Sequence, residues 1–447
     1  MLFTILLVLA LTAVFGWQHY QSDITKAYLL CAPTTAYYIR FPPGFRAYLH
    51  LKHGYPLPFE PGDYYGRVRK NLYGDPPAGR LLYELICAFL TRDVGMIVSP
   101  LDQCMFVKAL IVAGTRMVGI VLLYVDDVLV VGDEPLVSDI HRAIGERFPL
   151  TDGGDDYLSL RINHDMHEGT LTVDQTHNID ALLESTHMTD CASTRTPLPT
   201  DFTAMTDEAT TTAPTVELDM PSVLGSVGFI TATRPDLMYA HGVLATAMMP
   251  SSALPTAPTA THRRALTRLL RYLKGTRTRG LTFRRSAGLD MFAHVDANFA
   301  QELHRTGDGA AGSRSSYIVQ LAGAAIAARA PRQGPVALST AEAEIYALCA
   351  VVRILLVLRS MVSFITGETL PPTIVHEDNT SVIDMVARRS LSARTRHLRV
   401  NLAFVIDAVA AADIVLVYTP TAIQFADIGT AQRAPDIYEA HRDNIPG

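Results

Sequence analysis

Residues 121–132, VLLYVDDVLVVG, restrict the fold more than any other stretch of the chain: two apolar runs of strand character are joined only by Asp126 and Asp127. Runs so close in sequence pair as a hairpin with at least one buried face. Tight hairpin turns favour Asn-Gly or Asp-Gly, because those residues adopt positive φ at little cost, and neither dipeptide is present. Two readings of the aspartates stay open on these residues alone. One is an ordinary turn with both charges in water, and the other is a site where a metal ion absorbs a paired charge that is costly beside a core.

The remaining composition narrows the class. With 447 residues, 49% of them hydrophobic and 18% charged, the chain is long enough for two or three domains with sizeable cores. The formal charge of −6 gives no global attraction for nucleic acid, so any such binding has to come from local patches. Cys31, Cys87, Cys104, Cys191 and Cys349 are odd in number, widely spaced and lack a CxxC pair, which argues against a disulfide framework or a zinc site and for a reduced, intracellular protein. The uncharged start, MLFTILLVLALTAVFGW, falls short of the ~20 residues that span a bilayer and has no basic flank. The same residues could pass for a signal peptide or a short membrane segment, or form a buried helix feeding the strand around Asp23.

Residues 1–185 mix strand-like and helix-like runs with turns such as FPPGF and GDPPAG, which predicts one α+β domain. From 186 to about 222 Thr, Ala and Pro dominate without a hydrophobic period, and a linker is expected. A helix follows from Ser222 to about Tyr239, and then HRRALTRLLRYLKGTRTRGLTFRR, residues 262–285, without one acidic residue. Leu266, Leu269, Leu270 and Leu273 make one apolar stripe, leaving Arg264, Arg268, Arg271 and Lys274 elsewhere on that helix as a solvated face or as phosphate contacts. The last region, 286–440, reads as three strands, helix, strand, helix, strand, helix, which is α/β in class.

In that region Asp296, Glu342, Asp378 and Asp427 stand where strands and helices end. Each has a modest role open to it: Glu342 lies at capping-box spacing from Ser339, and Asp378 or Asp427 could cap a helix. Together at one sheet edge they would repel unless divalent cations neutralised them. Magnesium takes hard oxygen ligands, and two ions about 4 Å apart serve an in-line phosphoryl displacement. Asp23, in QSDITKAYLL, would join Asp126 and Asp127 if its strand packs beside the hairpin, and Tyr28 could then sit under the sugar of a nucleotide or be an ordinary core tyrosine.

These residues resemble the reverse transcriptase and ribonuclease H segments of copia-type LTR-retrotransposon polyproteins. QSDITKAYL, YYIRFPPGF, KNLYGDPPAGR, LLYVDDVLVVGD, TATRPDLMYA, LRYLKGTRTRGL, ALSTAEAEIYAL, HEDNTSVI and SARTRHLR are similar to that family's motifs in the same order, from about Thr4 to Thr430. The resemblance implies a reverse-transcriptase palm and thumb followed by an α/β ribonuclease H-like domain with a mixed five-stranded sheet, divided at 1–185, 186–285 and 286–440. It implies polymerase carboxylates at Asp23, Asp126 and Asp127, the sugar-discriminating aromatic at Tyr28, and ribonuclease H carboxylates at Asp296, Glu342, Asp378 and Asp427. Two Mg2+ ions per site, with Mn2+ as a substitute, an RNA template, a DNA primer, RNA–DNA hybrid and deoxynucleoside triphosphates would be the cofactors and partners, with no membrane.

The chain departs from the family where it opens just ahead of the first helix, so the fingers expected upstream are missing from it. Pro76 and Pro77 replace a Lys-Gln pair, Gly79 replaces a proline, Leu30-Cys31 stands for Asn-Gly, and Arg161 for a glycine. The departures imply an impaired polymerase part. The alternative is a catalytically inactive remnant that binds nucleic acid through the 262–285 helix and RRSLSARTRHLR, residues 388–399.

Overall fold

The computed structural model describes residues 2–54, 65–199, 202, 219–248, 260–302, 312–389 and 398–444. They divide into two compact units, His19–Gly154 and a second formed by Met1–Gln18 with Asp155–Gly447.

In the His19–Gly154 unit a six-stranded sheet runs in the order Ile97–Val98, Met105–Val112, Thr115–Tyr124, Asp127–Gly132, Gln18–Ile24, Leu150–Asp152. The hairpin expected at 121–132 is the middle of it: Tyr124 pairs with Asp127, Leu123 with Val128, Val121 with Val130, and so on to Gly119 with Gly132. The face bearing Val121, Leu123, Val128 and Val130 is buried in one core with Leu82, Ile86 and Leu90 of the helix Ala78–Arg92 and Val137, Ile140 and Ile144 of the helix Leu136–Arg147. Those helical positions recur every three or four residues, as a single buried stripe requires. The hairpin ends where it must: a Cβ on Gly132, at φ +147, would lie 2.0 Å from the Val118 carbonyl oxygen.

The second unit holds a mixed five-stranded sheet in the order Ala324–Arg329, Gly312–Leu321, Phe292–Glu302, Thr373–Glu377, Ile414–Tyr418. The first three strands are antiparallel, and Phe292–Glu302, Thr373–Glu377 and Ile414–Tyr418 are parallel. The helix Thr340–Thr366 packs on the two central strands. It is long and apolar enough to cross a membrane, but more than half of its most apolar stretch is buried within the protein.

A four-stranded sheet, Leu281–Arg284, Thr170–Asp174, Leu160–Asp165, Asp156–Tyr157, completes this unit. The opening helix, Leu2–Phe15, is apolar all round and therefore has to be surrounded. It is buried from Thr4 to Ala13 and packs against Thr170–Asp174, Leu281–Arg284 and Ala324–Arg329. It is thus a core helix of the second unit, although the strand bearing Asp23 follows it directly. The division expected at 185 falls at Gly154 instead, because Leu160–Asp165 pairs with Thr170–Asp174, which pairs in turn with Leu281–Arg284. The helix expected over 222–239 is two, Met220–Ile230 and Met238–Met248, separated by a 3-10 turn that starts at Pro235. Residues 200, 201 and 203–218 of the expected linker and residues 390–397 of the second basic stretch lie outside the described residues.

Candidate active sites

The strand Gln18–Ile24 lies beside the hairpin, and the Ile24 amide donates to the Asp126 carbonyl oxygen at 2.9 Å. Asp23 is thereby brought to the turn that carries Asp126 and Asp127. Burial, reinforced by the Asp126 charge, pushes the Asp23 carboxyl above its ordinary range, and burial with Asp126 and Asp23 does the same to Asp127. The three carboxylates therefore share one field. The positive φ that a tight turn needs falls on Val125, at 58°. For a β-branched residue this is a strained conformation, which costs on the order of 1–3 kcal/mol and persists only where the surroundings enforce it.

Tyr28 sits in the short 3-10 helix Ala27–Leu30, which follows Lys26 in the left-handed region. Its half-buried ring meets Tyr73 edge-on at 4.8 Å. Beyond Tyr73, Pro77 is the N-cap of the helix Ala78–Arg92. A proline there sacrifices no intrahelical hydrogen bond, since the first amides of a helix have no partner within it. The Pro76-Pro77 departure is accommodated by the helix start.

In the second unit Asp296 lies on the central strand, Asp378 directly follows the parallel strand Thr373–Glu377, and Asp427 lies in a 3-10 turn, Phe425–Gly429. Oxygens of these three all lie within 4.8 Å of one another, and a second trio, Glu344, Glu377 and Asp378, meets the same test. Thr430 Oγ1 donates to Asp296 Oδ2, Thr421 Oγ1 donates to Asp378 Oδ2 at 2.7 Å, and Arg433 Nη2 donates to Asp427 Oδ2 at 2.7 Å. Burial is the main cause that raises the carboxyls: Asp296 upward, Asp427 and Glu377 each to about 8, and Glu344 well above its usual value. Neighbouring carboxylates add to the rise, and Arg433 opposes it at Asp427. Asp296, Glu344, Asp378, Asp427 and Arg433 line one cavity of about 450 Å³.

Glu342, expected in this group, is elsewhere. Its amide donates to the Ser339 hydroxyl at 3.2 Å, its Oε2 accepts from the Leu338 amide at 2.8 Å, and its Oε1 accepts from Tyr346 Oη at 2.9 Å. It holds the helix N-terminus, as its capping-box spacing allowed. Glu344 takes the place at the sheet edge, because it lies in line with the buried Leu348, Val351, Leu355 and Leu358 on the face turned to the sheet. A carboxylate on an apolar helical stripe is the sequence signal that identifies it. Glu377 and Arg433 were not singled out by the sequence; Glu377 alternates in phase with Val375 and Thr373, the buried face of its strand.

The basic helix, Ala260–Gly275, differs from expectation in where its cations go. Its leucines are buried as the stripe requires, but Arg268 donates to the carbonyl oxygen and hydroxyl of Thr196, Arg271 to the Ala192 carbonyl oxygen at 2.6 Å, and Arg264 to Thr261. Arg268 and Arg271 thereby fasten residues 192–196.

Residues 2–200 match the family described as reverse transcriptase (RNA-dependent DNA polymerase). The chain is 28% identical over 425 residues to the retrovirus-related Pol polyprotein from transposon RE2 of Arabidopsis thaliana, covering 95% of this chain and 27% of that protein. It is 26% identical over 402 residues to the corresponding polyprotein from transposon TNT 1-94 of Nicotiana tabacum, covering 88% and 28%. An uncharacterized mitochondrial protein of Arabidopsis thaliana is 31% identical over 180 residues, 40% of this chain and 71% of that protein. The chain belongs to the reverse transcriptase family, in the form found in Pol polyproteins of copia-type retrotransposons. It spans about a quarter of the length of those polyproteins.

Proposed function

We propose that the chain carries two metal-dependent phosphoryl-transfer centres: an RNA-directed DNA polymerase site at Asp23, Asp126 and Asp127, and a ribonuclease H-like site for RNA–DNA hybrid on the five-stranded sheet. The observation that carries the reading is the pair of carboxylate trios that share Asp378. The donor set fits magnesium or manganese: all ligands are hard carboxylate oxygens, and the buried Oε2 atoms of Glu344 and Glu377 have no hydrogen-bond partner. Divalent cations supply charge neutralisation and activation of the attacking oxygen when bound.

The chain's own groups do the positioning. Thr430 and Thr421 fix the orientation of Asp296 and Asp378 by hydrogen bonds, and Arg433 fixes Asp427. Arg433 also places one cation in the cavity, where a phosphodiester would approach. In the other unit the strained turn at Val125 presents Asp126 and Asp127 beside Asp23, and Tyr28 offers a ring to a nucleotide sugar. The substrates are accordingly an RNA template, a DNA primer, deoxynucleoside triphosphates and the hybrid product, whose 2′-hydroxyl marks the strand to be cut. A non-catalytic binder acting through the 262–285 helix has less support, since Arg268 and Arg271 are engaged with residues 192–196.

The test is cleavage of a labelled RNA–DNA hybrid with magnesium beside primer extension, for the wild type, Asp378→Asn and Asp126→Asn. Each variant is expected to lose one activity and keep the other. Neither activity in folded wild-type protein would refute the proposal.

A further inference from the structure

We propose that another cavity of the second unit binds a phosphate group of a polynucleotide backbone between Arg279 and Arg442, in the place that the Asp443 carboxylate fills. The cavity, about 360 Å³, is lined by Arg234, Asp236, Thr278, Arg279, Thr282 and Arg442, and none of its lining residues belongs to the carboxylate cavity. Its inner wall is closed on itself. Arg234, 2% exposed, donates from Nε and Nη2 to the two Asp236 oxygens at 2.9 and 2.7 Å and from Nη1 to the Thr276 carbonyl oxygen at 2.9 Å. Asp236 accepts again from Tyr272 Oη at 2.6 Å. The other two arginines converge on one carboxylate. Arg279 Nη2 donates to Asp443 Oδ1 at 2.7 Å, and Arg442 donates to the same oxygen from Nε at 2.9 Å and to Oδ2 from Nη2 at 3.3 Å.

Guanidinium groups that clasp a carboxylate clasp a phosphate in the same way, because both present paired anionic oxygens. Asp443 holds the place weakly. Its side chain is 50% exposed, where an ion pair contributes little net stability. It also stands in the last turn of the helix Pro435–Asn444, where the helix dipole favours cations and disfavours a carboxylate. A phosphate that displaces it meets Arg279 and Arg442 beside the hydroxyls of Thr278 and Thr282, while of the lining carboxylates only Asp236 remains, paired with Arg234. In a chain of net charge −6 such a local positive excess is where a polyanion binds. The same helix begins two residues after Arg433, which lines the carboxylate cavity. Its 10 residues, at about 1.5 Å each, span on the order of 15 Å, or roughly four steps of a nucleic-acid strand at about 3.4 Å per step. One strand is long enough to reach both cavities, which favours a polynucleotide over free phosphate as the source; this choice rests on the ribonuclease reading above.

The full-length chain tests this by fluorescence anisotropy of a labelled RNA–DNA hybrid across a salt series, with chelator present so that no cleavage enters. Arg279→Gln is expected to weaken binding about tenfold at low salt and to reduce the slope of log affinity against log salt by about 0.9, the share of one phosphate contact. Asp443→Asn opens the place between the arginines and is expected to tighten binding at least about fivefold. Asp436→Asn removes the same charge from the same helix, where Arg195 pairs with it, and is expected to stay within about twofold of the wild type because that exposed charge is screened. Equal tightening by the two Asn variants would reveal general charge repulsion and overturn the site. If Arg279→Gln does not fold, that comparison decides alone. Calorimetric titration of the same variants with inorganic phosphate separates the sources. Phosphate binding that follows Arg279 and Asp443 while hybrid binding does not would keep the site and assign it to free phosphate, and indifference of both probes to Arg279 and Asp443 overturns it. Since binding is read without divalent cation, a protein that cleaves no hybrid refutes the ribonuclease reading and leaves this site standing.

Discussion

The hairpin site and the sheet-edge site gather carboxylates by opposite means. At the hairpin, Asp126 and Asp127 are half-exposed and the chain holds them in place through backbone strain at Val125. At the sheet edge, Asp296, Glu344, Glu377 and Asp427 are buried, held by elements that converge from a strand, a helix, a second strand and a turn. Water screens the first cluster, so its charges can persist side by side. The second lies in a low-dielectric setting, where like charges cannot persist without a counter-charge. The difference teaches that the same residue type at two sites answers to pH and metal unequally.

The largest effect expected separates two glutamates on one helix. Glu344→Gln should lower hybrid cleavage at least about 100-fold, since metal-based stabilisation of several kcal/mol is at stake and each 1.36 kcal/mol is tenfold. Glu342→Gln should cut normally and keep its thermal stability to within about 0.5 kcal/mol, because glutamine also serves a capping box. Equal losses of cleavage in both variants would contradict the assignment.

The next concerns pH. Glu377 and Asp427 have folded pKa values near 8, against ordinary values of 4.5 and 3.8. Their folded pKa is raised, so their contribution to stability is complete below about pH 4 and is lost as pH rises through 8. With a chelator present, the unfolding temperature of the second unit should fall between pH 5 and 8. Magnesium should raise it more at pH 8 than at pH 5, because its ligands must be deprotonated. A magnesium effect that is flat with pH would place the metal elsewhere. The hairpin unit, with half-exposed carboxylates, should show a weaker trend.

Val125→Gly probes the strained turn. Release of positive-φ strain should outweigh the added freedom of glycine in the unfolded chain, for a net gain of about 1 kcal/mol in the chemical-denaturation stability of the His19–Gly154 unit. A loss of more than about 1 kcal/mol would show that the Val125 side chain holds the turn. Smallest of all is the effect of Arg271→Ala on binding to hybrid. Its guanidinium already donates to the Ala192 carbonyl oxygen, so the slope of log affinity against log salt should stay within about 0.3 of the wild type. A fall near 0.9 would return this arginine to the phosphate contacts.

Much of this was legible from local pattern. The apolar runs around Asp126 and Asp127 mark both strands of the hairpin, although its two-residue loop is Val125-Asp126 and Asp127 already pairs with Tyr124, and the apolar stripe at Leu266, Leu269, Leu270 and Leu273 located a buried helix face. What local pattern missed depends on distant partners. The hydrophobicity of Leu2–Phe15 says that the helix is buried, but its neighbours lie beyond residue 169, so its membership of the second unit has no local signal. Likewise no composition shift marks Gly154, because the boundary is set by pairing of Thr170–Asp174 with Leu281–Arg284. Glu342 stands out in the sequence because it opens the long helix and fits the family's motif, yet the short-range capping-box role also open to it is the one it fills. Basic side chains on Ala260–Gly275 could not be told from phosphate contacts without the course of residues 192–196.

The placement of the opening helix has a consequence for biosynthesis. Leu2–Phe15 leaves the ribosome ahead of the strands it packs on, which end at Asp174, Arg284 and Arg329. At roughly 5–20 residues per second, its last partner strand emerges on the order of tens of seconds later. The whole His19–Gly154 unit is synthesised within that interval, as an insertion in the sequence of the second unit. The helix meanwhile has no native cover for its apolar surface until the closing strands arrive.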